Sequence, residues 1–233
     1  MRLDKFLSDA GIATRSELKK IIKAKQVSVN DEIITKADYK INEEKDVVKL
    51  LDEVIPYHKF IYYMLYKPAG YISATEGNVP CVTHLVPSIV KGLFPVGRLD
   101  KDTEGLLLIT NDGELGHKLL SPKKHIDKEY YVECRDKLTE EAVKAFESGM
   151  ELKDGTVFAK AECTHIEDYS CHLVLHEGKY HEIKRMFLAV GNEVTYLKRI
   201  RMKNLILDET LKKGEYRLLT DEELNDLKKD EQE

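Results

Sequence analysis

Residues 97–113 read GRLDKDTEGLLLITNDG, and this stretch is the most informative part of the sequence for the fold. A polar loop with the carboxylates Asp100 and Asp102 leads into an uncharged strand that ends at Thr110. A charged loop joined to a buried strand can hold a carboxylate in one position, as an enzyme requires. The stretch alone leaves three interpretations open: a metal-binding loop, a structural turn or a catalytic aspartate.

The segments on either side of this strand predict an α+β fold with a largely antiparallel sheet. Amphipathic spacing and capping residues indicate helices at 114–120, 138–147 and 180–190. Apolar segments indicate further strands at 60–66, 128–133, 170–176, 193–202 and 215–219. Because helices and strands do not alternate regularly, the pattern does not indicate a parallel sheet built from repeated strand–helix–strand units.

The beginning of the chain is typical of a separate small α/β unit. Two short amphipathic helices come first, and Thr14 with Glu17 is the expected capping box of the second. A hairpin at 27–34 and a closing strand at 47–51 follow. A core this small is marginal by itself.

The chain is therefore expected to divide into a small domain at 1–51, a linker at 52–59 and a large domain at 60–233. The linker contains Pro56 and has no clear periodicity. Residues 221–233 carry seven acidic and two basic side chains, which predicts an acidic C-terminal tail.

The net charge of −5 hides two basic regions. Residues 1–40 have a balance of +3, and residues 179–203 have a balance of +5. Local basic surface of this kind is compatible with a nucleic-acid partner in a mildly acidic chain. The cations expected to contact phosphate from the second helix are Arg15, Lys19, Lys20 and Lys23.

Composition excludes several classes of protein. A hydrophobic content of 42% is too high for a disordered chain. No apolar run approaches the roughly 18 residues of a membrane helix, and the charged first residues lack the pattern of a signal peptide. The four cysteines form no Cys-x-x-Cys pair, which argues against structural zinc and for reduced thiols in the cytoplasm.

Two metal-binding patterns are only superficial. Residues 100–105 match the start of a calcium loop, but the position that should be a bidentate glutamate is Asn111. His176 and His181 are five residues apart and Gly178 lies between them, so they do not share a helix face. Nucleotide-binding fingerprints are absent. The sequence therefore indicates an enzyme without a nucleotide cofactor, or no enzyme.

A second motif, at 177–187, reads EGKYHEIKRMF. Apolar residues bury one face of this helix, and Lys184 and Arg185 lie about 100° and 200° around from Ile183. At least one of the two can therefore reach a cleft, where a lysine can pair with a partly buried aspartate and keep it ionised. A solvated helix face and an Asx turn at Asp100 remain the structural alternatives.

Four motifs together resemble the pseudouridine synthases that act on ribosomal RNA. They are Gly97-Arg98-Leu99-Asp100 with its continuation to Gly113, Lys128-x-Tyr130-x-Val132, Glu177-Gly178-Lys179-Tyr180-His181-x-Ile183-Lys184-Arg185-Met186 and Lys67-Pro68-x-Gly70. The residues of these motifs are most similar to those of the small-subunit branch, except that Glu182 stands where that branch is expected to have Gln. Residues 1–51 resemble the RNA-binding domain of the ribosomal protein S-four type.

The resemblance implies the pseudouridine synthase fold, with a mixed, largely antiparallel central sheet and flanking helices. It also implies an isomerisation that needs no cofactor and no metal. Asp100 would attack C1′ or C6 of the target uridine, or remove the 2′ proton. Lys184 would be its cationic partner, and Tyr130 would stack on the uracil. Asp102 is expected to accept hydrogen bonds from backbone N–H groups of the loop.

The same resemblance implies a partner and a target. The substrate would be 16S ribosomal RNA, at uridine 516 in the family's usual RNA numbering, within an assembling small subunit. The enzyme is expected to be a monomer in the cytoplasm. The residues expected to hold RNA are Arg98, Arg185, Lys179, Arg15, Lys19, Lys20 and Lys23.

Three other functions compete with this expectation. A pseudouridine synthase that acts on large-subunit ribosomal RNA is the first alternative. A non-catalytic ribosome-assembly factor would be expected to have a damaged aspartate motif, and this motif is intact. A glycoside hydrolase using Asp100 and Asp102 is disfavoured, because two side chains in one rigid loop are poorly placed to flank a bond about 5 Å or more apart.

Overall fold

A computed structural model describes residues 1–43, 45–56, 60–87, 90–121 and 124–229. The chain divides into an amino-terminal unit, Met1–Ile61 with Pro87–Leu93, and a larger unit, Tyr62–Val86 with Phe94–Glu233. Among the described residues, none of the helices has the length and apolar character needed to cross a bilayer.

Two helices and a four-stranded antiparallel sheet form the amino-terminal unit. The helices are α1 (Leu3–Asp9) and α2 (Arg15–Lys23). The sheet has the order β2-β1-β3-β4, and its strands are β1 (Val27–Val29), β2 (Glu32–Ile33), β3 (Val48–Leu50) and β4 (Glu53–Val54). Leucine, isoleucine, valine and phenylalanine side chains from both layers form one buried core.

Local signals in this unit were well predicted. Thr14 and Glu17 form the expected capping box at the start of α2. The hairpin turns at Asn30 and Asp31, both with positive φ, as a tight turn that matches the twist of paired strands requires. The linker prediction is corrected at Glu53–Val54, which pairs with β3 instead of connecting domains. Residues 57–59 of that segment lie outside the described residues.

The larger unit is built on one mixed sheet with the strand order β11-β12-β8-β13-β7-β5-β15. In addition, β6 pairs with β7 and β14 pairs with β13. Only the β13–β7 pair is parallel among the pairs of this sheet in the described residues, which confirms a mixed, largely antiparallel sheet. Its strands are β5 (Tyr62–Lys67), β6 (Phe94–Pro95), β7 (Glu104–Thr110), β8 (Lys128–Cys134), β11 (Glu162–Thr164), β12 (Ser170–Leu175), β13 (Val194–Met202), β14 (Leu205–Ile206) and β15 (Tyr216–Leu218).

In the described part of this unit, one short 3₁₀ helix (Val82–Leu85) and four α-helices accompany the sheet: α3 (Gly113–Leu120), α4 (Glu140–Ser148), α5 (Glu182–Ala189) and α6 (Asp221–Lys228). Thr139 caps α4 as predicted, by accepting a hydrogen bond from the Ala142 N–H group. The helix predicted from residue 180 begins two residues later, because His181 has a left-handed conformation with φ 49°. The predicted α+β class is therefore confirmed.

Two parts of the larger unit differ from the predictions. Residues 221–228, expected to be part of an acidic tail, form α6, in which Leu227 is buried. Residues 230–233 lie outside the described residues. A short ribbon of β9 (Met150–Glu151) and β10 (Val157–Phe158) was not predicted, because two-residue strands are too short to show an alternating pattern.

Candidate active site

The loop that carries Asp100 is held by a buried lysine. Lys67, at the end of β5, is fully inaccessible to solvent. Its Nζ donates to the backbone carbonyls of Pro68, Asp100, Lys101 and Thr103 at 3.2, 2.9, 3.3 and 2.7 Å. Burial lowers the pKa of Lys67 to about 8 although three nearby carboxylates oppose the shift. The ammonium group thus fixes the backbone of the loop from inside the sheet.

The residues beside Asp100 are tethered as well. The Ser73 hydroxyl donates to the Leu99 carbonyl at 2.9 Å and accepts from the Leu99 N–H group at 2.9 Å. The Gly70 N–H group donates to the Lys101 carbonyl at 2.7 Å. The Thr103 N–H group donates to the Asp100 carbonyl at 3.1 Å and closes a turn. The backbone on both sides of the carboxylate is therefore fixed.

The loop enters β7 through a contact that only glycine permits. Gly105 has φ +105°, and a Cβ built there would lie 2.1 Å from the Arg199 carbonyl oxygen on β13. This is where β7 and β13 pair in parallel, with Arg199 opposite Gly105. The close approach brings the loop of Asp100 next to the strand that carries Arg199.

Lys184 lies between the two carboxylates of the loop. Its Nζ is 3.0 Å from Asp100 Oδ2 and 2.6 Å from Asp102 Oδ1. His181 Nε2 lies 3.6 Å from Asp100 Oδ1. The Asp100 side chain is 28% exposed, whereas Asp102 is 74% exposed, so Asp100 is the carboxylate held at the cavity wall.

The lysine stays charged in this arrangement. Partial burial favours the neutral amine, but hydrogen bonds to Asp102 and Asp100 outweigh burial and raise the pKa of Lys184 above its usual value of 10.5. Asp102 was expected to accept from backbone N–H groups of the loop; its carboxylate accepts from its own backbone N–H group and, in addition, from Lys184. Burial acts against this pairing, yet the hydrogen bond from Lys184 lowers the pKa of Asp102.

Tyr130 faces the same cavity from β8 and is 9% exposed. It lies opposite Arg199 in the β8–β13 register. Burial raises the pKa of Tyr130, and a hydrogen bond from Arg199 only partly opposes that effect. The phenol is therefore neutral near pH 7, able to stack and to form hydrogen bonds.

These side chains line one small cavity of about 70 Å³. Asp100, Tyr130 and Lys184 meet there, and Arg98 and Lys179 of the predicted RNA-binding set also line it. The remaining lining residues include Leu99, Thr103, Leu175, Gly178, His181, Glu182, Ile183 and Leu197. The predicted catalytic residues thus come together, while their roles stay predictions.

Arg185 lies elsewhere. Its guanidinium group donates to the Asp154 carboxylate at 2.6 Å and to the Thr156 hydroxyl at 2.9 Å, in the β9–β10 ribbon. It also lies over the Phe158 ring, 5.3 Å from the centroid. Arg185 therefore holds the turn of the ribbon, and its expected contact with RNA stays a prediction.

In the amino-terminal unit the four predicted cations share the exposed side of α2. Arg15 donates to both carboxylate oxygens of Asp4 at 3.0 Å. Asp4 is buried, yet hydrogen bonds from Arg2 and Arg15 outweigh burial and lower the pKa of its carboxyl group. Lys19, Lys20 and Lys23 are exposed.

Two buried cations were given no role from the sequence: Lys67, which was named only within a motif, and Arg199. Lys67 clamps the loop, and Arg199, 2% exposed, donates from Nε to the Leu106 carbonyl at 2.8 Å. The signal for Arg199 is its spacing, two residues after the buried Leu197 on the same face of β13. Within the described ranges, no group of three His, Cys, Asp or Glu side chains is placed to hold a metal ion.

Comparison with known proteins gives two family matches. The RNA pseudouridylate synthase family matches residues 61–189, and the S4 domain family matches residues 1–48. A solved structure described as a pseudouridylate synthase shares 36% sequence identity and aligns with a TM-score of 0.70 over 97% of this chain and 99% of the other.

Curated relatives match over almost the full length. An uncharacterized RNA pseudouridine synthase, YtzG, of Bacillus subtilis is 43% identical, over 97% of both chains. A protein named ribosomal small subunit pseudouridine synthase A in Vibrio vulnificus is 40% identical, over 97% of this chain and 98% of the relative. A protein of the same name in Haemophilus influenzae is 39% identical, over 98% and 100%.

Proposed function

Because this chain belongs to the RNA pseudouridylate synthase family and carries an S4 domain, we propose that it converts a uridine of ribosomal RNA to pseudouridine. The observation that carries the proposal is the meeting of Asp100, Lys184 and Tyr130 at one cavity. Asp100 is fixed by the clamped loop and paired with a lysine at 3.0 Å, as an ionised nucleophile or base requires.

The reaction exchanges one bond of the uridine for another. The N1–C1′ bond breaks, the uracil turns, and a C5–C1′ bond forms. The C5 proton then leaves, and N1 gains a proton from solvent, so the product is an isomer of the substrate. Asp100 starts the sequence through C1′, through C6 or by removing the 2′ proton. All three routes need the carboxylate in its charged form.

Lys184 and Tyr130 take supporting roles in this proposal. Lys184 keeps a positive charge beside Asp100 and stabilises the carboxylate before attack and after the glycosidic bond breaks. Tyr130 stacks on the uracil, and its neutral hydroxyl assists the final transfer of the C5 proton. Asp102 shares Lys184 and so fixes the direction of its ammonium group.

The substrate base must leave its stack to reach Asp100. Unstacking costs a few kcal/mol, and stacking on an aromatic ring such as Tyr130 returns about 1–3 kcal/mol. The remaining affinity comes from phosphate contacts. Arg98 and Lys179 at the cavity, and the exposed lysines of α2, supply the cations for them.

The small-subunit RNA is the proposed target, at uridine 516 in the family's usual numbering. Two relatives of about 40% identity are named as small-subunit enzymes, and they cover nearly the whole chain. We further propose that the enzyme is a cytoplasmic monomer that works without a cofactor on an assembling subunit. A large-subunit target is the main alternative.

Mapping pseudouridines after incubation with the purified protein tests this proposal. Unmodified 16S and 23S RNA, each free and in reconstituted particles, serve as substrates. The expected result is one new pseudouridine at the proposed 16S site. Modification of 23S RNA alone would transfer the proposal to the large subunit, and no modification of any of the four substrates would refute the function.

A further inference from the structure

The wall of the cavity contains one glutamate that the reaction does not use, Glu182, and a second glutamate, Glu177, interacts with it from outside the wall. Glu182, the first residue of α5, is only 5% exposed, and its Oε2 accepts from the Lys179 N–H group at 2.8 Å. Glu177 Oε1 accepts from the Ala159 N–H group at 2.8 Å, and its Oε2 pairs with Lys179 Nζ at 2.7 Å. The two carboxyl groups therefore hold both ends of the loop 177–181.

The carboxyl groups of Glu182 and Glu177 also lie close enough to interact with each other. Oε1 of Glu182 is buried and accepts from no donor in the described part of the chain, so an ionised Glu182 would leave a charged oxygen unsatisfied beside a second carboxyl group, which favours the protonated acid. Burial and, next, the hydrogen bond with Glu177 raise the pKa of Glu182 to about 8. Burial acts in the same direction on Glu177, but hydrogen bonds from Glu182 and Lys179 lower its pKa. Glu182 is thus the proton carrier near pH 7.

We propose that Glu182 is a positioning residue: while it holds the proton shared with Glu177, it fixes the loop 177–181 against the cavity, and loss of that proton releases the loop. The loop carries Gly178, Lys179 and His181, which line the cavity beside Asp100. The inference rests on the proposed function, since it names what keeps that site assembled.

The other charged groups near Glu182 are consistent with this assignment. Lys128 and Tyr130 on β8 interact electrostatically with Glu182. Burial, followed by the charge of Arg199 on β13, lowers the pKa of Lys128, which weakens its ability to stabilise an ionised Glu182. On the loop itself, Lys179 is paired with Glu177. An ionised Glu182 would therefore face Glu177 as a like charge.

The variant Glu182→Gln keeps a hydrogen-bond donor at this position and removes the titratable carboxyl group. A glutamine amide has the size of the protonated acid, donates to Glu177, accepts from the Lys179 N–H group and does not titrate near pH 8. Glu182→Ala removes the donor at every pH. Glu162→Gln, at an exposed position of β11, is the matched control for loss of one negative charge.

Pseudouridine formation is measured for these variants from pH 6.5 to 10. Wild type and Glu162→Gln should lose about tenfold in rate per pH unit above about pH 8. Glu182→Gln should lack this decline, and Glu182→Ala should be slow throughout. Titration of the uridine itself affects all enzymes equally. A decline of the same size and midpoint in Glu182→Gln would overturn the proposal.

Thermal unfolding tests the shared proton without RNA. Folding raises the pKa of Glu182 from its ordinary value of 4.5 to about 8. Its contribution to folding stability is therefore fully present below the ordinary value of 4.5 and is lost as the pH rises to about 8. The Tm of wild type should therefore fall relative to that of Glu182→Gln between about pH 5 and 8. Above about pH 8 this gap, the difference in Tm between the two proteins, should stay constant. A gap independent of pH contradicts the shared proton. If no protein modifies RNA while the gap follows this course, the proposed function fails and the shared proton stands.

Discussion

At the scale of single residues, the site depends on one lysine that serves two carboxylates. Lys184 contacts both Asp100 and Asp102, and its pKa is raised, so the cation persists across the neutral range. Without it, Asp100 and Asp102 would face each other as like charges. The pair is partly exposed, so we expect it to matter for reactivity more than for stability.

Replacing Lys184 with methionine tests this point. The side chain keeps its length but loses the charge, so the rate of pseudouridine formation should fall about 10²–10³-fold. The free energy of unfolding should change by less than about 1 kcal/mol. Lys184→Arg keeps the charge and should retain more activity than Lys184→Met in the same single-turnover assay. Equal losses in both variants would show that shape, and not charge, is what Asp100 needs.

Replacing Lys67 with methionine tests the clamp on the loop. Four carbonyls lose a charged donor, so the free energy of unfolding should fall by about 3 kcal/mol, and the rate should fall as the loop shifts. The pKa of Lys67 is about 8 against 10.5 ordinarily, so the unfolded chain binds more protons between these values. Wild-type stability should rise with pH in that window relative to Lys67→Met. Urea unfolding at pH 7, 8, 9 and 10 measures the stability of both proteins. If their stabilities change with pH in parallel, the lowered pKa of Lys67 is contradicted.

At the residue level, the motifs with a chemical reason selected residues that the structure brings together, while their roles stay predictions. Asp100, Tyr130 and Lys184 were selected for their side-chain chemistry and family resemblance, and the structure brings them to one cavity. Lys67 and Arg199 were given no role, because the sequence does not distinguish a buried cation from one at the surface. Only the strand register and the carbonyls around them show that they are internal.

At the scale of elements, β7 and β13 position the site. Their short parallel contact brings the loop of Asp100 to the strand of Arg199, and β8 then places Tyr130 on the other side of β13. The other described pairs in this sheet are antiparallel. The parallel contact depends on Gly105, because any side chain there would meet the β13 backbone.

Replacing Gly105 with alanine should therefore separate β7 from β13. The positive φ and the 2.1 Å approach to the Arg199 carbonyl oxygen are both unfavourable for a Cβ, so stability should fall by about 3–5 kcal/mol. Gly113→Ala is the control, because nothing lies within 4 Å of a Cβ there. In that helical position alanine should be neutral or stabilising by up to about 1 kcal/mol. Urea unfolding compares the two, and equal stability would contradict the packing argument.

Prediction of helices and strands was limited by the shortness of some strands and by the acidic composition of one helix. Helices α4 and α5 were found because their apolar residues repeat over two turns or more. The β9–β10 ribbon has strands of two residues each, which leave no periodic signal. Helix α6 was mistaken for a tail because its acidic residues dominate, although Thr220 forms a capping box with Glu223 and Leu227 is buried.

At the scale of the whole molecule, the chain combines a small unit with exposed cations and a larger unit with the cavity. The amino-terminal unit has its own core, and the lysines of α2 point away from that core. An S4 domain match to residues 1–48 supports a role in holding RNA. We infer that affinity is shared between the units, whereas the chemistry belongs to the larger one.

Changing Lys19, Lys20 and Lys23 together to glutamine tests this division. All three are exposed, so folding should be unaffected. RNA affinity should fall, and the slope of log affinity against log salt should decrease by about 0.7–0.9 for each phosphate that the protein no longer neutralises. The single-turnover rate at saturating enzyme should stay unchanged. Filter binding at several salt concentrations measures the slope, with Lys137, Lys144 and Lys160 to glutamine as the control set. An unchanged slope would contradict the role of α2.

The central claim is that the carboxylate of Asp100 performs the isomerisation, and Asp100→Asn tests it most directly. The amide is close in size and can still accept a hydrogen bond from Lys184, so folding and RNA binding should persist. The measurement is the pseudouridine content of 16S RNA after incubation with wild type or Asp100→Asn at saturating protein. The account predicts full conversion of one uridine by wild type and none by the variant. Conversion by Asp100→Asn at the wild-type rate would contradict it.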